Sequence, residues 1–250
     1  VLFALVFETV MLKLRKQSLP LFLYDGSAVV TALLFALAVT PFAPWWVNMA
    51  GTGFAIIVAK HLYGGLGYNL FNPAMAGYVF VLLCFPAALT VWPHAAGTGQ
   101  SHAGLVDSLY IICAGHPLTG TVDALSGATP LGYMKSQLNG MAMVPEITSS
   151  PLFGTFAGKG AEWLALAWAA GGAWLLVNRI IKWQMPAVFI ATLFVFSLLC
   201  YWIDASRYPS PWFTLFAGGA MLAAFFIITD PVTAAGTPRG RIIYAAGIGI

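Results

Sequence analysis

A side-chain hydroxyl that is to accept a large group needs small neighbours and a backbone held out of a helix. The string DALSGATPL, Asp123 to Leu131, meets both conditions around Thr129. Gly127 and Ala128 leave room for a partner to approach, and the proline at 130 disfavours helical backbone at the threonine itself. A plain turn would present the same string, so the hydroxyl is a candidate acceptor and nothing more at this level. A second candidate is GGLGYNLFNPAM, Gly64 to Met75, which ends in Asn72-Pro73, the signature of a helix cap followed by a proline in the first turn. Capping alone accounts for Asn72. The run Thr229-Asp230-Pro231-Val232-Thr233 is expected to repeat that device, and for Asp230 capping and the binding of a polar ligand group at a helix start are both open. Glu8 is the one acid inside an apolar run, where a carboxylate is by default a functional candidate; Lys13 and Arg15 are close enough in sequence to draw it into a charge cluster at the headgroups.

These residues sit in a chain that water cannot cover. Of its 250 residues 60% are hydrophobic and 8% charged, where a soluble domain carries about a quarter charged. A bilayer accepts such a surface provided the backbone is satisfied within helices or a closed barrel, and the long apolar runs favour helices. The net charge of +3 is spread over scattered Lys and Arg, which excludes a nucleic-acid-binding stripe. Cys84, Cys113 and Cys200 lie far apart, with no CxxC pair, so no metal site is expected in this chain.

A spanning helix needs about 20 apolar residues. The candidates are residues 1 to 12, 27 to 43, 44 to 59, 73 to 91, 161 to 178, 185 to 203, 212 to 229 and 241 onward, eight in all. The first and last are expected to be cut short. Lys and Arg alternate cleanly between the two faces these spans define. Lys13, Arg15, Lys16, Lys60, Arg179, Lys182, Arg239 and Arg241 fall on one face and Lys135, Lys159 and Arg207 on the other, which places the larger group in the cytoplasm. The organisation expected is therefore a membrane region over 1–91, an outer, periplasmic loop over 92–160, and a second membrane region over 161–250. The loop holds His94, His102 and His116 and no apolar stripe of spanning length. A faint internal symmetry pairs the second span, GSAVVTALLFALAVTP, with the seventh, GGAMLAAFFIITDP, as an inverted repeat with a five-helix offset would.

The strings LKLRKQ, APWW, AKHLYGGLGYNLFNPAMAGYV, SGATPL, AWAAGGAWLL and GAMLAAFFIITDPVTA followed by RGR run the length of the chain. Together they resemble the D subunit of the Rnf (Rsx) ion-translocating electron-transport complex and, more distantly, the B subunit of the sodium-translocating NADH:quinone reductase. The resemblance implies an all-α, polytopic membrane protein with a ten-helix, urea-transporter-like inverted repeat, of which about eight helices are present. It implies FMN joined through a phosphoester to the threonine of a D-x-x-S-G-A-T motif, here Asp123, Ser126, Gly127, Ala128 and Thr129, by a flavin transferase. A noncovalent riboflavin near Asn72 and Asp230 is a further implication. The implied role is electron carriage between other subunits of the Rnf complex (A, B, C, E and G) in a bacterial inner membrane, coupled to Na+ or H+ movement and supporting a ferredoxin:NAD oxidoreductase reaction. No residue of this chain is implied as catalytic, since the redox chemistry belongs to the cofactor. Two other readings compete: a small-solute channel or transporter of the same fold with no redox role, which leaves the SGAT loop unexplained, and the quinone-reductase subunit proper.

Overall fold

The computed structural model describes residues 1–94 and 101–250; residues 95–100 lie outside the described part. The chain is helical almost throughout and divides into two compact units, Val1–Pro93 with His102–Ser126, and His94–Ser101 with Gly127–Ile250.

The first unit opens with α1 (Leu2–Leu14), a short α2 (Leu19–Leu23) and α3 (Ser27–Ala38). Then α4 (Trp45–Gly53) passes without a break into a π-helical stretch, Phe54–His61. After a glycine-rich loop come α5 (Pro73–Cys84), α6 (Pro86–Leu89), β1 (Trp92–Pro93), α7 (Leu105–Ala114) and α8 (Val122–Leu125). The core of this unit is Phe35, Val39, Val47, Ala74, Val81 and Leu89, beside a smaller cluster of Ala4, Ala28, Ala32 and Ile56. Small residues let its helices approach. A Cβ on Gly51 would run into the Phe35 ring, and one on Gly77 would lie 2.6 Å from the Gly51 carbonyl oxygen, so α5 packs directly on the backbone of α4.

The second unit continues from β2 (Ser126–Gly127) into α9 (Pro130–Asn139), α10 (Val144–Thr148), α11 (Ala161–Val177) and α12 (Gln184–Ile203). It closes with α13 (Pro211–Phe216), α14 (Ala220–Leu222) running into a second π-helical stretch, Ala223–Ile227, and α15 (Pro238–Gly249). Its main core gathers Ala165, Met185, Phe189, Leu215, Met221, Ala224, Phe225, Ile228 and Ala245. Gly172 is required there, since any Cβ would overlap the Phe225 ring. A second cluster, with Met134, Ile147, Phe153 and Phe213 among its members, fastens α9 and α10 to α13.

Every apolar segment expected from the sequence is helical. Among the described residues two helices suffice alone, by length and composition, to cross a bilayer: Leu19–Ala38, which joins α2 and α3 across the turn at Gly26, and Gln184–Ile203. Only 22% and 11% of their apolar windows are buried, whereas the core helix of a soluble protein hides most of its apolar face. The outward side chains, Trp163, Trp174, Val195, Leu199 and Trp202 among them, are those a lipid-facing surface requires. The helix expected over 73–91 breaks at Phe85, where Pro86 removes a backbone donor and starts α6.

Pro44 is the N-cap of α4, which runs into the first π-helical stretch, and Pro211 opens α13, which is followed by α14 and the second; each π-helical stretch is followed by an irregular segment and a helix opened by a cap and a proline, Asn72-Pro73 and Thr237-Pro238.

Candidate functional site

Thr129 is the N-cap of α9, with extended backbone (φ −66°, ψ 155°), and its Oγ1 accepts from the Gly132 amide at 3.1 Å. Pro130 holds Thr129 out of the helix, as expected, and itself starts α9, taking the first helical position, where a missing amide costs nothing. What fixes this helix start is packing further along it. Pro130 is buried in a slot that exists because Gly158 has no side chain, Leu131 reaches Gly218 at a distance that leaves a Cβ there only 2.7 Å away, and Met134 is 3% exposed in the cluster with Phe213. The Phe153–Gly158 turn that carries the slot is tied in turn by Glu162, whose Oε1 accepts from the amides of Phe156 (3.3 Å) and Ala157 (3.1 Å).

The rest of the motif surrounds the threonine along the chain. Asp123 is exposed in the first turn of α8, Ser126 and Gly127 form β2, and Ala128 is exposed. Gly127 answers to a contact the string did not reveal, because a Cβ there would overlap the His94 ring. Thr129 itself is half-buried, and its cap uses Oγ1 as an acceptor, which leaves the O–H free. A phosphoester on this oxygen fits the surroundings: small exposed Ala128 before it, and a helix held in place from behind.

Asn72 caps α5 as expected, its Oδ1 accepting from the amides of Ala74 (3.0 Å) and Met75 (3.3 Å). Asp230 does not start a helix. Its Oδ1 accepts from the Val232 amide and its Oδ2 from the Thr233 hydroxyl, each at 3.1 Å, closing an isolated turn, while the helix that follows is capped by Thr237. The device at Asn72-Pro73 recurs at Thr237-Pro238. Asn72 and Asp230 belong to different units.

The largest departure from the sequence reading is Glu8. It is 1% exposed and pairs with neither expected partner: Lys13 is exposed, and Arg15 bonds to His61 and the Gly64 carbonyl. The Glu8 Oε1 accepts from Lys60 Nζ at 2.8 Å and lies 3.2 Å from His61 Nε2, off the line of that N–H, so its partner oxygen Oε2 and Nε2 are left without a well-formed bond. Lys60 and His61 are 2% and 5% exposed. Neighbouring residues can both face one carboxylate here because they end the π-helical stretch, whose wider turn re-aims side chains; such stretches recur at functional sites. Arg15 donates to His61 Nδ1 (3.1 Å) and to the Gly64 carbonyl (2.7 Å), and the loop wraps it through Gly64, Gly65 and Gly67, all at positive φ. Sequence reasoning placed Lys60 only as a topology marker, although its place on a helix of the most apolar kind was the available signal. Asn69 was missed as well: 5% exposed, it donates from Nδ2 to the Phe71 carbonyl, and its Oδ1 has no partner.

Outward apolar helices, a buried ion pair within one unit and an anchored, half-exposed threonine in the other are the features of a helical membrane protein. The chain belongs to the NQR2, RnfD, RnfE family, which it matches over residues 1–250. It is 45% identical over 255 residues to a protein of Aliivibrio salmonicida named as the D subunit of an ion-translocating oxidoreductase complex, covering 99% of this chain and 73% of the relative. The proteins of the same name from Citrobacter koseri and Escherichia coli (strain K12 / DH10B) are 43% identical over 256 residues, with the same coverage.

Proposed function

We propose that this chain is the D subunit of an Rnf-type ion-translocating oxidoreductase and that Thr129 carries FMN through a phosphoester. The observation that carries the second part is the setting of the hydroxyl: capped by its own helix, backed by the Pro130 slot, and flanked by Gly127 and Ala128. The relatives' shared name supports the first part. When bound, the flavin supplies one- and two-electron redox chemistry. The chain's own residues hold it at a fixed place. Burial of Pro130 and Met134 restrains α9, and with it the oxygen to which the phosphate is joined, so the tether swings about side-chain bonds and not about a mobile backbone. The Gly132 amide lies close enough to contribute a donor to a phosphate on Oγ1.

The same proposal takes in the finer points. Eight apolar helices cross a bacterial inner membrane in a urea-transporter-like arrangement, the positive residues Lys13 to Lys16 face the cytoplasm, and the 92–160 segment lies on the periplasmic side, where a flavin transferase meets it. The partners are membrane lipid and the A, B, C, E and G subunits. Electrons reach and leave the flavin through those subunits while Na+ or H+ crosses, and a noncovalent riboflavin binds near Asn72 or Asp230. The unpartnered Oδ1 of buried Asn69, three residues before Asn72, supports a polar ligand at the first of these.

Peptide mass spectrometry of the complex purified from native membranes tests the reading. The peptide containing Thr129 is expected to carry the mass of one FMN, lost in Thr129→Ala. An unmodified Thr129 in a complex that still transfers electrons refutes it and favours a solute channel.

A further inference from the structure

We propose that Glu8 is a buried proton-exchange site, connected to the surface by a hydrogen-bonded chain through Lys60 and Ser27 to Asp25. The links are short and continuous. Lys60 Nζ donates to Glu8 Oε1 at 2.8 Å and to Ser27 Oγ at 2.8 Å, and Ser27 Oγ donates to Asp25 Oδ1 at 2.6 Å. Asp25 is exposed and Glu8 is 1% exposed, so the chain of four groups runs from solvent to the interior of the first unit.

Two further observations point to a mobile proton and away from a static ion pair. Glu8 Oε2 is buried without a partner, a costly state for a carboxylate oxygen unless something visits it. It belongs to a residue lining a cavity of about 130 Å³, bordered also by Gln17, Asp25, Lys60, His61 and Tyr68. At about 30 Å³ per molecule that space has room for several waters among polar groups. A metal cation does not suit the place, because Lys60 and His61 turn nitrogens towards Glu8 and Lys60 already supplies a cationic partner.

The titratable groups around Glu8 have distinct parts. Arg15 has only donors, so its contact of 3.1 Å fixes His61 Nδ1 as an acceptor and leaves the ring proton of neutral His61 on Nε2, facing Glu8. The transfer then balances as follows. Lys60 breaks an N–H bond and gives its proton to Glu8, forming a carboxylic acid and an amine. The amine takes the Ser27 hydroxyl proton, and Ser27 takes one from protonated Asp25. One proton has moved inward, with no electrons exchanged.

The inference rests on the reading of the chain as an ion-translocating subunit for its purpose, but its test does not need the flavin. The assembled complex in lipid is titrated with pH under infrared difference spectroscopy, and proton uptake is followed with a vesicle dye. A protonated-carboxyl band that shifts in deuterated water and disappears in Glu8→Gln is expected. Ser27→Ala is expected to slow proton uptake about tenfold, the effect of losing one relay hydrogen bond, with electron transfer intact once an uncoupler is present. If Glu8→Gln fails to assemble, the double variant Glu8→Gln with Lys60→Met, which leaves no buried charge, supplies the same comparison. Unchanged uptake in Ser27→Ala, or the absence of a Glu8 band together with transport that follows sodium alone, overturns the proposal. A missing flavin on Thr129 with the Glu8 band present would count against the flavin reading and leave the proton site standing.

Discussion

Replacing Lys60 with methionine tests what the buried ion pair does for the fold. The side chains are of similar length, so little packing is lost, but Glu8 keeps its charge at 1% exposure with only the misaligned His61 N–H beside Oε1. Removing one partner of a buried pair costs about 3–5 kcal/mol, because the other charge stays desolvated. For a chain of this size that corresponds to a fall in melting temperature of roughly 10 °C. The double variant Glu8→Gln with Lys60→Met removes both charges and is expected to recover most of the loss. Thermal unfolding of the detergent-solubilised protein, followed by thiol labelling of its cysteines, reads both. A single variant as stable as the parent, or a double variant as damaged as the single, would refute the reasoning.

Other outcomes are expected elsewhere. Asn72→Ala removes the α5 cap and should cost about 1 kcal/mol, while Asn72→Asp, which keeps an acceptor, should cost less; thermal unfolding separates them. Gly158→Val drives a side chain into the Pro130 slot and should lower flavin occupancy of Thr129, read by peptide mass, while expression of the chain persists. Asp204, at the end of α12, is held below the usual carboxylate range by the Ser206 hydroxyl and amide. The loop it closes should therefore keep its structure above the ordinary carboxylate pKa and lose it only as the pH falls through the lowered folded value, so amide exchange at Ser206 should be unchanged at pH 5 (about one unit above the ordinary carboxylate pKa).

The features legible in the chain are those fixed by near neighbours. The apolar runs are helices because the composition allows no other way to satisfy their backbone, and Asn72 caps α5 because its side chain reaches amides two and three residues on. Pro86 breaks the fourth segment for an equally local reason. Asp230 misled because a Thr-Asp-Pro string is compatible both with a helix start and with the isolated turn it closes, and only the position of Thr237 decides between them.

Tertiary structure decided the rest. Glu8 and Lys60 are 52 residues apart, and nothing in the sequence around Glu8 distinguishes a buried pair with Lys60 from a surface cluster with Lys13 and Arg15. The choice follows from α1 packing on the π-helical stretch, which depends on small residues such as Ala4, Ala28 and Ala32 meeting Ile56. Residue type alone singled out Thr129, whereas the packing that holds its helix start comes from Gly158 and Gly218, glycines whose importance lies in what they let approach. Spacing along a chain determines what neighbouring residues can do for one another; which distant side chains share a buried space depends on how whole helices fit.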